Sequence, residues 1–243
     1  MKLLVSVVDV GEAGVAAAAG ADIVDVKNPA EGSLGAPSPA VITGIRAAVS
    51  SELPVSAAIG DMPNLPGTAA LAALGAARCG ATFVKVGLWG VATERDAVDL
   101  LRAVRDGVAG VPGLVVVAAA YADARRVAPA PLAPELLPRV ARAAGVGACL
   151  LDTAVKDGRG LLEWLPPDAL ASLAAEAHAL GLQLALAGAL RAEDLPVVRD
   201  TEADIAGVRS AVCHDGRRSG RLDAARVRAL VTACAATPAR ASR

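Results

Sequence analysis

Aromatic residues are nearly absent from this 243-residue chain: they account for 2% of it, although 54% of the residues are hydrophobic. The core must therefore be built from Ala, Val, Leu and Ile. Charge of one sign is not in excess either, with 24 Lys and Arg against 25 Asp and Glu. We therefore expect neither a nucleic-acid partner nor a membrane surface, since both favour clustered basic charge. Because no long uncharged apolar run is present, we predict no membrane span and expect a cytoplasmic protein.

Residues that bind transition metals are scarce as well. The four cysteines lie far apart and form no C-x-x-C pair. The two histidines, His178 and His214, have no partner at the spacing of a zinc site. We therefore predict no metal, and we expect the cysteines to be small buried thiols.

One pattern repeats along the whole sequence. A short β-branched run is followed by a polar or Gly-rich turn, and then by an amphipathic stretch rich in Ala and Leu. Eight such units predict a single-domain (β/α)₈ barrel over residues 1–235, with a disordered tail over 236–243. The alternative is a doubly wound open sheet, but no G-x-G-x-x-G follows the first strand to indicate dinucleotide binding. The predicted strands are 3–9, 23–28, 54–61, 83–88, 113–121, 147–153, 183–188 and 205–212. The predicted helices are 11–19, 38–49, 67–78, 93–108, 133–144, 166–180, 192–199 and 223–235.

Lysine is rare among the basic residues, of which 20 are Arg and only four are Lys. Three of the four, Lys27, Lys85 and Lys156, lie in or just after predicted strands 2, 4 and 6. An amine can form an imine and can lose its proton near neutral pH, whereas a guanidinium can do neither. We therefore predict that these lysines are catalytic. Buried salt bridges or phosphate anchors are the alternative.

Barrel geometry predicts where these lysines meet. Active sites lie at the carboxyl ends of barrel strands, and alternate strands contribute to the same interior layer. Alternation along strand 2 puts Asp25 and Lys27 on the interior face, with Val24 and Val26 facing the helices. We expect the charged side chains of strands 2, 4, 6 and 8 and of their loops to converge on one barrel mouth: Asp25, Lys27, Lys85, Asp152, Lys156 and Arg209.

Such a cluster has a chemical consequence. Ammonium groups that crowd each other in a partly desolvated pocket have lowered pKa values, which frees one amine to act as a nucleophile. The aspartates can hold the other amines charged or move protons. The structural alternative is that Asp25–Lys27 and Asp152–Lys156 are ion pairs that fill the barrel. Burying so many charges for stability alone would be costly.

The segments after strands 7 and 8 predict a phosphate site. In barrels of this kind those loops often bind phosphate through backbone N–H groups and a helix N-terminus. We predict contacts from Gly188, Gly207, Arg209 and Ser210, although glycines at such places are equally typical of tight turns.

Three further polar residues mark the ends of predicted strands 3 and 5: Asp61 closes strand 3, and Tyr121 and Asp123 come at the end of strand 5. They are equally consistent with ligand contacts and with local capping.

Five segments resemble one known family: VDVKNPAEGSLGAPSPAVI, VSAAIGDMPNLPGT, ATFVKVGLWG, LLDTAVKDGRGLLEW and GVRSAVC. The resemblance is to the (5-formylfuran-3-yl)methyl phosphate synthase family and covers about residues 1–235. It implies a class I aldolase-like barrel that condenses two molecules of glyceraldehyde 3-phosphate, with loss of phosphate and water. The product would be the phosphorylated furan aldehyde of methanofuran-type cofactor biosynthesis.

The same resemblance implies residue roles. Lys27, in the VDVKNP motif, would form the Schiff base, and Lys85, in the KVGL motif, would accept a proton. Asp25, Asp152 and Lys156 match the remaining charged positions. No metal or other cofactor is expected, because the iminium serves as the electron sink.

Two other functions stay open at this point, and both also use a small phosphorylated ligand. One is a different Schiff-base aldolase acting on another phosphorylated carbonyl compound. The other is a non-catalytic barrel that binds a phosphorylated ligand, for which no nucleophilic amine is needed. The sequence leaves homo-oligomer formation open.

Overall fold

The computed structural model describes residues 1–235. Within them, eight parallel strands close into one barrel in chain order. The strands are β1 (Lys2–Val7), β2 (Ile23–Val26), β3 (Val55–Pro63), β4 (Phe83–Gly90), β5 (Val115–Tyr121), β6 (Ala148–Asp152), β7 (Gln183–Leu186) and β8 (Ile205–Val208). The helices are α1 (Val10–Ala18), α2 (Pro39–Ala48), α3 (Pro66–Arg78), α4 (Glu94–Gly107), α5 (Leu137–Ala144), α6 (Pro167–Ala179), α7 (Leu195–Asp200) and α8 (Ala224–Ala235). The predicted single-domain (β/α)₈ barrel is confirmed, while the tail predicted over 236–243 lies outside the described residues.

The two faces of each strand serve different parts of the core. Val24 and Val26 on β2 are buried in the large Ala, Val and Leu layer between the barrel and its helices, as predicted. Asp25 and Lys85 point to the other side, into the barrel. A smaller apolar cluster that includes Leu4 fills the barrel interior. The charged side chains of Asp25 and Lys85 therefore lie above a layer of apolar side chains inside the barrel.

Several strands end earlier than the sequence pattern predicts. β2 ends at Val26 and β8 at Val208, and each is followed by a 3₁₀ turn, Pro29–Glu31 and Ser210–Val212. Lys27 and Arg209 consequently come just after the last residue of β2 and of β8, at the carboxyl ends of these strands. This places both side chains at the rim rather than inside the sheet.

Two helices begin later than predicted. α5 and α7 are each preceded by a 3₁₀ turn, and Pro138 and Pro196 occupy their first turns. Proline has no N–H and is tolerated only in the first turn of a helix, so it sets the start of each.

Among the helices of residues 1–235, none is long and apolar enough to cross a membrane.

Candidate active site

A cavity of about 320 Å³ lies at the carboxyl ends of the strands and is called the main cavity here. The residues predicted for the site come from five strands or the loops that follow them. All nine line this cavity: Asp25, Lys27, Lys85, Asp152, Lys156, Gly188, Gly207, Arg209 and Ser210. The structure thus brings together all the residues predicted for the charged cluster and for the phosphate site, whereas Asp61, Tyr121 and Asp123 do not line this cavity.

The first ion pair of the site joins β2 and β4. Asp25 is completely buried, and its Oδ1 lies 2.5 Å from Lys85 Nζ. Its Oδ2 accepts a hydrogen bond of 2.9 Å from Ser6 Oγ on β1. Burial by itself raises the pKa of the Asp25 carboxyl, but the Lys85 and Lys27 ammonium groups outweigh it and lower that pKa. Asp25 is therefore a carboxylate, paired with Lys85 rather than with Lys27.

The second ion pair lies at the end of β6. Lys156 Nζ is 2.7 Å from Asp152 Oδ1 and 3.1 Å from Thr153 Oγ1. The backbone N–H of Thr153 also donates to Asp152 Oδ1, at 2.7 Å. Burial opposes ionisation of Asp152, but Lys156 and Lys27 prevail and lower the pKa of the carboxyl to about 2. The Asp152–Lys156 ion pair is thus present, as expected from the alternative in which ion pairs fill the barrel.

Lys27 is the amine without a partner of its own. Its side chain is 8% exposed, and within residues 1–235 no carboxylate lies within 4.0 Å of Nζ. Burial lowers the pKa of Lys27 to about 8, with Lys85 and Lys156 adding to the effect and Asp152 and Asp25 opposing it. At pH 7 about a tenth of the Lys27 side chains are then neutral and nucleophilic. Each neighbouring lysine is held by a carboxylate, which leaves Lys27 to react.

This arrangement predicts that Lys27 destabilises the fold. The pKa of Lys27 falls from 10.5 to about 8, so the folded protein binds fewer protons than the unfolded chain between those pH values. Stability should therefore rise as the pH increases from about 8 to 10.5, and the destabilisation is complete below pH 8. We expect Lys27→Met to unfold with a free energy up to about 3 kcal/mol higher than wild type at pH 7.

Denaturant unfolding at pH 7, 8, 9 and 10 measures this difference, which should shrink as the pH rises. Lys2→Met, at an exposed position of β1, is the matched control and should show no such trend. A Lys27→Met variant less stable than wild type at pH 7 would contradict the unpaired state of Lys27.

Arg209 is buried, and protein groups engage its whole guanidinium. Nη1 donates to Glu12 Oε2 and, at 3.0 Å, to the carbonyl of Ser6. Nη2 donates to Glu12 Oε1 at 3.2 Å and to the carbonyl of Gly220 at 2.7 Å. Nε donates to the carbonyl of Arg218 at 2.8 Å. All five N–H donors of the guanidinium have acceptors, so this arrangement does not support direct phosphate binding by Arg209.

The other three predicted phosphate contacts lie beside Arg209 in the cavity wall. Gly188 has a φ of +110°, and a Cβ there would come within 2.9 Å of the Thr153 side chain. Only glycine fits this close approach of the loops after β7 and β6. Gly207 and Ser210 line the same wall at the end of β8. Their position is compatible with phosphate binding, which stays a prediction.

Asp61 and Tyr121 position the loop after β2. Asp61 Oδ2 accepts a 2.8 Å hydrogen bond from the backbone N–H of Ser33, and Oδ1 accepts a short one from Tyr121 Oη. Ser33 Oγ in turn donates to the carbonyl of Thr153 at 2.8 Å. Burial, together with Asp61, raises the pKa of the Tyr121 hydroxyl well above its usual value. Tyr121 is therefore a neutral donor that helps to anchor the loop.

Asp123 has a similar role for the loop after β6. Its carboxylate accepts hydrogen bonds from the backbone N–H groups of Ala154 at 2.5 Å and Val155 at 2.9 Å. These contacts fix the backbone immediately before Lys156. Asp123 thus acts on the site through the loop that carries the lysine.

A second cavity, of about 330 Å³, adjoins the first and is called the side cavity here. Lys156 and Arg218 line both cavities. The remaining residues of the side cavity wall come from the loops after β2 and β6 and from the carboxyl-terminal parts of β3 and β4: Glu31, Gly32, Ser33, Asp61, Trp89 and Ala154. The barrel mouth is therefore divided into two compartments that meet at two cations.

Sequence reasoning missed Ser6, Glu12, Thr153 and Arg218. In the sequence, nothing distinguishes Glu12 from the other residues of α1. Nothing distinguishes Arg218 from the several other arginines near the end of the chain. Only closure of the barrel brings Glu12 to Arg209, 197 residues away in the sequence. Ser6 offered one signal, since it is the polar residue among the apolar residues that follow Lys2 in β1.

Comparison with solved structures supports the fold. The chain is similar to 3-hexulose-6-phosphate synthase from Salmonella typhimurium, with a TM-score of 0.65 and 18% identity over 96% of this chain and 98% of that one. It is also similar to phosphoribosyl anthranilate isomerase from Thermus thermophilus, with a TM-score of 0.59 and 18% identity over 96% and 98% of the two chains. At such low identity these similarities show a common barrel fold alone.

Sequence comparison is more specific. The sequence model of 4-HFC-P synthase matches residues 3–231. The chain is 47% identical over 236 residues to (5-formylfuran-3-yl)methyl phosphate synthase of Methanocaldococcus jannaschii, covering 96% of this chain and 100% of the relative. It is 47% identical over 240 residues to the protein of the same name in Methanosarcina mazei, covering 97% and 100%. The predicted family is confirmed: the chain belongs to the 4-HFC-P synthase family of enzymes.

Proposed function

We propose that this enzyme condenses two molecules of glyceraldehyde 3-phosphate into (5-formylfuran-3-yl)methyl phosphate through a Schiff base on Lys27. One observation carries the proposal: Lys27 is a buried amine with a pKa of about 8, set between two carboxylate–ammonium pairs in the main cavity. The names of the relatives support the product.

The proposed reaction begins at Lys27. Its neutral amine attacks the carbonyl carbon of one triose phosphate, the carbonyl oxygen leaves as water, and an iminium forms. Loss of a neighbouring C–H proton converts the iminium into an enamine, whose carbon attacks the aldehyde of the second triose. Ring closure, elimination and hydrolysis of the imine regenerate the lysine. In total, two triose phosphates lose one phosphate and two water molecules, and the product keeps the other phosphate.

The two ion pairs are suited to different proton transfers. Lys156 lines both cavities, so it can exchange a proton with groups on either triose, and the Asp152 carboxylate stabilises its protonated form. Lys85 starts as an ammonium group paired with buried Asp25. It therefore donates a proton first and becomes an acceptor only afterwards. The Asp25 carboxylate stays ionised through both steps and stabilises Lys85 whenever this side chain is an ammonium group.

The two compartments support a reaction with two substrates of the same size. Pockets for small ligands begin at about 300 Å³, and the main and side cavities measure about 320 and 330 Å³. Each has room for one triose phosphate. Because Lys156 lies in both walls, the carbons that must bond can meet beside it.

Incubation with glyceraldehyde 3-phosphate as the sole substrate tests the proposal. We expect a six-carbon furan monophosphate by mass spectrometry, with one inorganic phosphate released for each product molecule. A six-carbon product that keeps both phosphates would instead indicate a different Schiff-base aldolase. Absence of any product, with glyceraldehyde 3-phosphate still bound, would indicate the non-catalytic alternative.

The proposal extends to the cofactor requirement, the cellular location and the assembly of the enzyme. The reaction needs no metal or other cofactor, because the iminium itself accepts the electron pair. We expect the enzyme to act in the cytoplasm on small phosphorylated substrates. Homo-oligomer formation stays open.

A further inference from the structure

The loop between β8 and α8 is held in place by Arg209. An antiparallel bridge between Cys213 and Leu222 closes its base. Arg209 bonds the carbonyls of Arg218 and Gly220 near its tip. Since the guanidinium of Arg209 is itself fixed by buried Glu12, the loop is tied to α1, the helix that follows the neighbouring strand β1. The loop is therefore positioned by a dedicated buried ion pair.

The side chain of Arg218 projects from this loop over the barrel mouth. It is half-buried, and Nη2 donates to the carbonyl of Gly32 at 2.9 Å. No carboxylate lies within 4.0 Å of its guanidinium anywhere in residues 1–235. A guanidinium carries five N–H donors, so four remain available to a ligand. Arg209 and Arg218 thus differ in one decisive respect: the first has no donor left and the second has four.

The surroundings of Arg218 suit an anionic ligand. Lys27 and Lys156 line the main cavity with it, as do Gly188 after β7 and Gly207 in β8. A planar guanidinium binds a phosphate through two parallel hydrogen bonds, which fixes both the position and the orientation of the group. Partial burial strengthens such bonds because less water competes for the donors.

We propose that Arg218 binds the phosphate of the triose that reacts with Lys27, and that Arg209 is a positioning residue for the Arg218 loop. This proposal rests on the proposed function for the identity of the ligand. It assigns the phosphate contact to a residue of the loop instead of to the buried arginine at the end of β8.

Glycerol 3-phosphate is the probe for the binding test, since it carries the phosphate but has no carbonyl group and cannot form an imine. Titration calorimetry should show 10- to 100-fold weaker binding to Arg218→Ala than to wild type, the loss typical of charge-assisted hydrogen bonds. Arg218→Lys should recover part of it, because it restores the charge without the two-pronged geometry. The matched control, Arg228→Ala at an exposed position of α8, should bind like wild type. Equal affinity of wild type and Arg218→Ala, or no binding by either, would overturn the proposal.

A second arm separates phosphate recognition from imine chemistry. Borohydride trapping is compared for glyceraldehyde 3-phosphate and for glyceraldehyde, which lacks the phosphate. In Arg218→Ala the KM for the phosphorylated substrate should rise 10- to 100-fold, while trapping of glyceraldehyde is unchanged. If wild type binds glycerol 3-phosphate but traps neither substrate, the Schiff base is wrong and the assignment of Arg218 still holds.

The positioning role of Arg209 has its own test. Arg209→Met is combined with Glu12→Gln, so that no buried carboxylate is left unpaired. This double variant should weaken glycerol 3-phosphate binding, and adding Arg218→Ala should weaken it no further. Additive losses would contradict the positioning role and return the phosphate contact to Arg209.

Discussion

Lys27→Arg is expected to abolish turnover and covalent trapping together, lowering kcat by at least about 10⁴-fold. Arginine keeps the positive charge and most of the volume, so Asp25 and Asp152 retain a cation between them. It cannot lose its proton near neutral pH and therefore cannot attack a carbonyl. The variant should fold normally, because the electrostatic environment of both carboxylates is preserved.

Steady-state kinetics and circular dichroism measure these two properties separately. Lys2→Arg makes the same chemical change at an exposed position of β1 and should leave kcat unaltered. Substantial activity in folded Lys27→Arg would show that the reaction does not proceed through this amine.

The second large effect is expected at the pair formed by Lys85 and Asp25. Removing Lys85 alone leaves a fully buried carboxylate without its cation, a change that typically destabilises a protein by about 3–5 kcal/mol. The informative variant is therefore Lys85→Gln combined with Asp25→Asn, which removes both charges and keeps groups able to hydrogen-bond. We expect kcat to fall by about 10²–10⁴-fold, the usual range for a general acid–base group.

The double variant should still form an adduct with borohydride, because Lys27 remains. The pH dependence of its trapping should stay close to that of wild type, because the variant removes both Lys85, which lowers the pKa of Lys27, and Asp25, which raises it. Lys156→Met removes a cation that lowers the pKa of Lys27 and keeps Asp152, so its trapping should require a higher pH, again with a lower kcat. Wild-type turnover in both variants would mean that the two pairs only fill the barrel.

Periodicity was sufficient to predict the barrel and the layer in which the site lies. Alternation of Val24, Asp25 and Val26 predicts which side chains face inward, because a strand exposes successive residues on opposite faces. The scarcity of lysine drew attention to Lys27 and Lys85 for a chemical reason that does not depend on the fold. Alternation and the scarcity of lysine together predict the charged residues Asp25, Lys27, Lys85, Asp152 and Lys156, all of which line the main cavity.

Pairing inside that layer was beyond the sequence. Proximity along β2 suggested Asp25 with Lys27 as a structural alternative, but neighbours across the barrel can approach more closely than residues two apart on one strand. Lys85 therefore forms the ion pair with the Asp25 carboxylate, and Lys27 is left without a carboxylate partner within residues 1–235. The same limitation applies to Arg209, whose partner Glu12 lies near the other end of the chain. Local patterns contain no information about which of two arginines has free donors.

Borohydride reduction followed by peptide mapping identifies the amine that forms the Schiff base. Wild-type enzyme is mixed with glyceraldehyde 3-phosphate, reduced, digested and analysed by mass spectrometry. We expect a single stable adduct on the peptide that contains Lys27, formed with a rate that rises through about pH 8 as this amine loses its proton. An adduct on the peptide of Lys85 or Lys156, or turnover without any adduct, would show that Lys27 is not the lysine that forms a Schiff base.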